Sequence, residues 1–114
     1  MLHGYKMSEE GFKEMTEFLR NEFSDMVEFV YIMAPHITAV PSADTNFRQQ
    51  HAWWLKTVDF PSVDFKACFD KTLDYMNRIF IEKGPFDGVF GYSQGCFHLR
   101  FKFNRINIKN SFFL

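Results

Sequence analysis

The sequence predicts an α/β fold in which a parallel sheet is flanked by helices. Residues 27–33 form an almost continuous apolar run, which is typical of a strand covered on both faces. Residues 9–23 and 63–82 carry apolar side chains at spacings of three and four, the period of an amphipathic helix. A second apolar run, residues 86–90, follows the second helix. This alternation of strand and helix indicates right-handed crossovers between parallel strands.

The first helix is preceded by a strand end and a loop at residues 1–5. Ser8 is a favourable N-cap, and Glu9 and Glu10 place acids in the first turn, where the helix dipole stabilises them. The predicted core stripe of this helix consists of Phe12, Met15, Leu19 and Phe23.

Residues 35–61 contain three prolines and scattered polar residues, which predicts a long loop. Trp53 and Trp54 lie in it, and adjacent tryptophans are more often packing anchors than a ligand platform. Ser62 is the predicted cap of the second helix, and Gly84 and Pro85 end that helix. Its predicted buried stripe is Phe65, Phe69, Leu73, Met76 and Phe80, widened by Cys68, Tyr75 and Ile79.

The motif G-x-S-x-G occurs at residues 91–95, directly after the strand predicted at 86–91. In a nucleophile elbow, a strand ends, a strained serine presents its hydroxyl, and a helix begins just after it. A motif this short also occurs by chance as an ordinary turn. Its position directly after a predicted strand, which itself follows a predicted helix, favours the nucleophile elbow over that alternative. We expect a helix from 94–95 lasting two or three turns, then disorder or irregular chain to Leu114. We also expect an exposed sheet edge where further strands would pair.

The length, composition and charge of the chain limit the functions it could have. The chain has 114 residues, enough for one domain but few for an open α/β enzyme. It lacks an apolar run long enough to span a membrane and an apolar signal-peptide core, so a cytoplasmic protein is expected. Cys68 and Cys96 are expected to be buried thiols rather than a disulfide. No clustered spacing of ligands predicts a metal. Residues 1–95 have a net charge of −5 and residues 96–114 of +4. Such a basic segment could suggest a patch for nucleic acid or membrane, but an unusual C-terminal segment is the simpler account, so no nucleic-acid partner is expected.

Four segments together resemble one family: L-H-G-Y at 2–5, A-P-H at 34–36, W-W at 53–54 and G-P-F-D-G-V-F-G-Y-S-Q-G at 84–95. They are similar to the fungal family of serine hydrolases and its animal relatives, the ovarian-cancer-associated hydrolases, within the α/β-hydrolase superfamily. The resemblance covers residues 2–95. It implies the N-terminal half of a serine hydrolase domain at 1–95 and a divergent tail at 96–114. It also implies a partial α/β-hydrolase fold, truncated after the elbow, that hydrolyses a small-molecule ester without metal or organic cofactor.

The resemblance assigns Ser93 as the nucleophile and the backbone N–H groups of Tyr5 and Gln94 as oxyanion donors. The family's acid and histidine follow the serine, but no Asp or Glu follows Asp87 here. His98, the only later histidine, lies where a helix would direct its ring away from Ser93.

The other histidines have less specific positions. His3 and His36 lie at predicted strand ends, where a structural or substrate-lining role is more plausible than that of a base. His51 lies in the long loop, and its role stays open.

Three hypotheses remain. The chain is a serine hydrolase by family that hydrolyses little on its own, because the triad acid and base are missing. It is a non-catalytic truncated fragment, whose exposed sheet edge would need a partner chain or self-association. Or it is a small α/β binding module in which the motif is only a turn.

Overall fold

A computed structural model describes residues 1–39, 48–96 and the backbone of the strand at 110–113. Residues 94–96 are helical. The elements are α1 (Glu9–Met15), α2 (Glu17–Glu22), β1 (His36–Ala39), β2 (Gln50–Ala52), α3 (Phe65–Lys83), β3 (Gly88–Gly91) and β4 (Asn110–Phe113). No helix within these residues is both long and apolar enough to cross a membrane.

Parallel pairing is organised around Leu2. This residue forms parallel bridges to Ile32 on one side and Gly91 on the other. Its N–H donates to Phe90 O at 2.8 Å, and its carbonyl accepts from Tyr92 N at 3.0 Å. These are single bridges rather than a continuous ladder. The predicted strand at 27–33 is reduced to the bridge at Ile32, whereas the one at 86–91 is present as β3.

The strand β4 departs from the sequence-based expectation of irregular chain up to Leu114. It pairs in parallel with β3, from Gly88 opposite Asn110 to Gly91 opposite Phe113. This pairing satisfies backbone groups on the edge of β3 that the prediction left exposed. Strand pairing therefore continues past the Ser93 turn instead of ending there. The predicted length of the helix after Ser93 concerns residues 97–109, which lie outside the described residues.

The predicted loop at 35–61 contains a hairpin that the sequence did not reveal. β1 and β2 pair antiparallel, with His36 opposite Ala52 and Ile37 opposite His51, and the register shifts before Ala39. An isolated antiparallel bridge joins Met7 to His51. β2 is three residues long and does not alternate polar and apolar residues, and β1 alternates over only four residues directly after Pro35. Signals this short do not predict a strand, and the pairing depends on tertiary contacts.

The predicted helix at 9–23 is divided at Thr16 into α1 and α2. The Thr16 hydroxyl donates to Phe12 O at 2.7 Å and lies 2.6 Å from the buried hydroxyl of Tyr31. A threonine bonded to the carbonyl four residues earlier bends a helix, which explains the break. Of the predicted stripe, only Phe12 is buried, while Met15 and Phe23 are exposed. Ser8 caps α1 as expected, accepting from Gly11 N at 3.0 Å.

The helix α3 begins two residues later than predicted, and its buried face is shifted from the predicted stripe toward the side that carries Cys68, Thr72, Met76 and Ile79. Its cap is Asp64, not Ser62, and the Asp64 carboxylate accepts from Lys66 N at 2.9 Å and Ala67 N at 3.2 Å. Phe65 is 48% exposed. The core cluster consists of Leu2, Ile32, Ala34, Trp53, Met76, Ile79 and Val89.

Candidate active site

Ser93 occupies a tight turn between a strand and a helix. β3 ends at Gly91, and the helical residues begin at Gln94. Ser93 has a φ of 52°, a left-handed conformation that few non-glycine residues adopt. Gly95 N donates to Tyr92 O at 2.9 Å, which closes the turn. The Ser93 side chain is exposed, so this turn presents a hydroxyl to solvent on a strained backbone.

The Ser93 turn lies directly against the end of the first strand. A Cβ atom added to Gly95 would lie 2.9 Å from His3 O and still closer to Leu2 O. Both of these obstacles are backbone atoms, so they cannot rotate away. Glycine at this position is therefore required by close packing of the helix start on the strand.

The loop at Gly4 and Tyr5 also reaches Ser93. A Cβ atom added to Gly4 would lie 3.1 Å from Tyr92 Cδ1 and 3.4 Å from Ser93 Cβ. No hydrogen bond within residues 1–39 and 48–96 uses the backbone N–H of Tyr5 or Gln94. The fold thus brings Gly4, the residue before Tyr5, beside the serine.

His3 is held inside the protein as a neutral imidazole. Its Nε2 accepts from Ala34 N at 3.0 Å, so Nδ1 carries the proton and donates to Gly4 O at 2.8 Å. Burial lowers the pKa of His3, because the charged form would lose its solvation. His3 therefore holds the Gly4 loop in place. This agrees with the structural role favoured from sequence.

The other described histidines are bonded to backbone and core groups. His36 Nε2 lies 2.9 Å from Thr72 Oγ1 and 3.1 Å from Cys68 O, and burial lowers its pKa. His51 Nδ1 donates to Ala34 O at 2.8 Å. Within the described part of the chain, none of these rings hydrogen-bonds to Ser93. His98 lies outside that part, so its predicted orientation stays a prediction.

The Gln94 side chain forms a buried contact that sequence reasoning missed. Its Oε1 accepts from Trp53 N at 2.9 Å, and its Nε2 donates to Trp54 O at 2.8 Å. Trp53 is fully buried and Trp54 packs against the core, as expected of packing anchors. Nothing in the sequence distinguishes Gln94 from a solvated glutamine, because its partners are backbone groups about 40 positions away.

A polar cluster covers the Tyr5 side chain. The Tyr5 hydroxyl donates to Asp59 Oδ2 at 2.6 Å, and Lys56 Nζ lies 4.5 Å from the centre of the ring. Partial burial, with the hydrogen bond and the negative charge of Asp59, raises the pKa of Tyr5 to about 12. Lys6 Nζ also pairs with Asp59 at 3.6 Å. The segment after the two tryptophans is thereby tied to the loop beside Ser93.

The two cysteines are free thiols; Cys68 is buried, whereas Cys96 is only half-buried. Among the residues that the structure describes, no three His, Cys, Asp or Glu side chains gather in a way that could hold a metal ion.

A strained, exposed serine between a strand and a helix, beside a glycine loop, is the arrangement typical of serine hydrolases. A family model described as "Serine hydrolase (FSH1)" matches residues 1–109, and the chain belongs to this family. The match extends beyond residue 95, where the sequence resemblance ended. The family implies an α/β-hydrolase-like fold.

The relatives of this chain include proteins named as esterases. It is 34% identical to "Esterase CG5412" of Drosophila melanogaster, over 84% of this chain and 37% of that protein. It is 32% identical to "Esterase OVCA2" of Xenopus tropicalis, over 83% of this chain and 47% of that protein. It is also 32% identical to "Rhodanese-like domain-containing protein 6" of Arabidopsis thaliana, over 83% of this chain and 20% of that protein. The chain thus spans less than half the length of these relatives. No solved structure matches it.

Proposed function

We propose that this protein is a hydrolase of carboxylic esters in which Ser93 is the nucleophile. The observation that carries the proposal is the left-handed Ser93 between β3 and a helix start, with its side chain exposed and Gly4 beside it. The names of the esterase relatives support the substrate class. The substrate would be a small ester, no metal or organic cofactor takes part, and the protein acts in the cytoplasm.

In this proposal the Ser93 hydroxyl attacks the ester carbonyl and loses its proton to a base. The carbonyl oxygen becomes an oxyanion, and the backbone N–H groups of Tyr5 and Gln94 donate to it. A preorganised donor of this kind stabilises the transition state by about 3–4 kcal/mol. The alcohol leaves with a proton, and water then hydrolyses the acyl-serine by the same route.

The chain by itself is expected to hydrolyse esters slowly. No acid follows Asp87 in the sequence, and His3, His36 and His51 are bonded to other groups. Without a base the hydroxyl of Ser93 stays protonated and is a weak nucleophile. We therefore propose residues 1–95 as the nucleophile-bearing half of a hydrolase domain and residues 96–114 as a C-terminal segment without the triad acid, although the family model matches this segment as far as residue 109.

A fluorophosphonate probe tests this assignment, because it reacts with activated serines. The chain, its Ser93→Ala variant and a control variant, Ser24→Ala, are compared for covalent labelling. Ser24 is also exposed but lies outside the candidate site. We expect slow labelling that disappears only in Ser93→Ala.

The other outcomes separate the remaining hypotheses. Equal labelling of the Ser93→Ala variant would show that Ser93 is not the nucleophile. Rapid labelling that depends on Ser93 would support the hydrolase but overturn the expected inactivity of this chain. Absence of labelling would favour the second candidate, a non-catalytic fragment. The hydrogen bonds of His3, His36 and His51 to other groups point in the same direction, because none of these rings is bonded to Ser93 in the part of the chain that the structure describes.

A further inference from the structure

Trp53 is hydrogen-bonded to both chain segments that carry the proposed oxyanion donors. Its indole Nε1–H donates to His3 O at 2.7 Å, two residues before Tyr5. Its backbone N–H donates to Gln94 Oε1 at 2.9 Å, on the residue whose own N–H is the second donor. Trp53 is fully buried, so water does not compete for either bond.

The backbone of Trp53 is itself held by the longest helix. Its carbonyl accepts a hydrogen bond from Thr72 Oγ1, and Thr72 is fully buried on α3. The next carbonyl, that of Trp54, accepts from Gln94 Nε2 at 2.8 Å. Gln94 is therefore bound to the two tryptophans by both ends of its amide group, and Trp53 is bound to α3.

Strand pairing alone does not determine the positions of the two donors. The bridge between Leu2 and Gly91 is a single pair, and both Tyr5 and Gln94 lie three residues beyond it. Each segment has left the pairing region by the time it reaches its donor. An oxyanion donor acts only when it lies within about 2.7–3.1 Å of the developing negative charge.

We propose that Trp53 is a positioning residue that sets the separation between the Tyr5 and Gln94 N–H groups. This inference rests on the proposed function. The indole holds the carbonyl of His3, while the backbone N–H holds the helix start through Gln94. Loss of the indole N–H would release the Tyr5 side of the site and leave the Gln94 side bound.

The variant Trp53→Phe removes the indole N–H and retains an aromatic ring in the core. The matched control is Tyr75→Phe, which removes a side-chain hydrogen bond of similar length, from the Tyr75 hydroxyl to Met33 O at 2.8 Å. Within the described residues Tyr75 makes no contact with Ser93, Tyr5 or Gln94, although Met33 O belongs to the same peptide group as the Ala34 N–H that donates to His3. A loss of stability alone would therefore affect both variants alike. The thermal unfolding midpoints of the two variants measure this loss of stability.

The first readout is the reaction of Ser93 with a fluorophosphonate, whose phosphoryl oxygen gains charge during attack. We expect Trp53→Phe to lower the maximal inactivation rate about ten-fold or more, with little change in the probe concentration at half-saturation. Tyr75→Phe should leave the rate unchanged. Labelling that depends on Ser93 and is equally fast in Trp53→Phe would overturn the inference while leaving the proposed function intact.

The second readout needs no reaction at the serine. The amide ¹H–¹⁵N resonances of Tyr5 and Gln94 are compared between the chain and the two variants. Trp53→Phe should shift the Tyr5 resonance more than the Gln94 resonance, and Tyr75→Phe should shift neither. An unchanged Tyr5 resonance in Trp53→Phe would overturn the inference, even if the serine proves unreactive and the proposed function fails.

Discussion

Replacing Gly95 by alanine tests the packing that brings the serine turn against the first strand. The new Cβ atom would lie 2.9 Å from His3 O and closer to Leu2 O, whereas unstrained contacts are about 3.5 Å. The helix start would have to move by about 1 Å away from the carbonyl of Leu2 to restore an unstrained contact. Overpacking of this kind costs about 1–3 kcal/mol, partly offset by about 1 kcal/mol from the better helix propensity of alanine.

We therefore expect Gly95→Ala to lower the free energy of unfolding by up to about 2 kcal/mol, or up to about 8 °C in the thermal midpoint. Because no described glycine has a positive φ, backbone strain contributes nothing to this difference. Thermal unfolding followed by circular dichroism measures it.

The matched control is Gly11→Ala, in the helix α1. There the added Cβ would lie 3.2 Å from Ser8 Oγ, a side-chain atom that can move by a few tenths of an ångström, at the cost of lengthening its capping bond from Gly11 N. Alanine should leave the stability unchanged or raise it by about 0.5 kcal/mol. If Gly95→Ala were as stable as Gly11→Ala, the carbonyls of Leu2 and His3 could not lie where the structure has them.

Three further predictions concern stability. Burial lowers the pKa of His3 below its usual 6.5, so the unfolded chain binds the proton first and the stability should fall as the pH drops through 6.5. The variant His3→Gln should reduce this fall, as measured by unfolding at pH 7.5 and 5.5. Asp64→Ala should cost about 1 kcal/mol by denaturant unfolding and Ser62→Ala almost nothing, and equal effects would contradict the assigned cap. Tyr31→Phe should cost about 1 kcal/mol, since it removes the partner of a buried hydroxyl on Thr16, and an unchanged midpoint would count against that contact.

The sequence predicted elements best where local signals are strong. The cap at Ser8, the end of α3 near Gly84 and the strand before Ser93 all follow from short-range chemistry: a side-chain acceptor, a helix stop and an apolar run. Helix faces were predicted less well. In α3 the spacing of aromatic residues suggested a stripe starting at Phe65, but the buried face includes Thr72, whose polar hydroxyl gave no apolar signal.

The candidate site was predicted unevenly for a similar reason. Ser93 and its neighbours share one short motif, and the left-handed φ of Ser93 is a local property of that turn. Gly4 also belonged to a recognisable segment. The contacts of Trp53 with His3 and Gln94 could not be predicted, because hydrogen bonds between distant segments leave no periodic trace in the sequence.

The sequence by itself identified the family, through four short segments, and predicted the serine turn, through one motif, because both depend on neighbouring residues. Only the tertiary structure decided which segments pair. It placed Leu2 between Ile32 and Gly91, formed a hairpin within the predicted loop, and paired β4 with the edge of β3. The physical reason is that backbone N–H and C=O groups are nearly identical in every residue. Their partners are therefore chosen by the packing of the whole chain rather than by the residues that carry them.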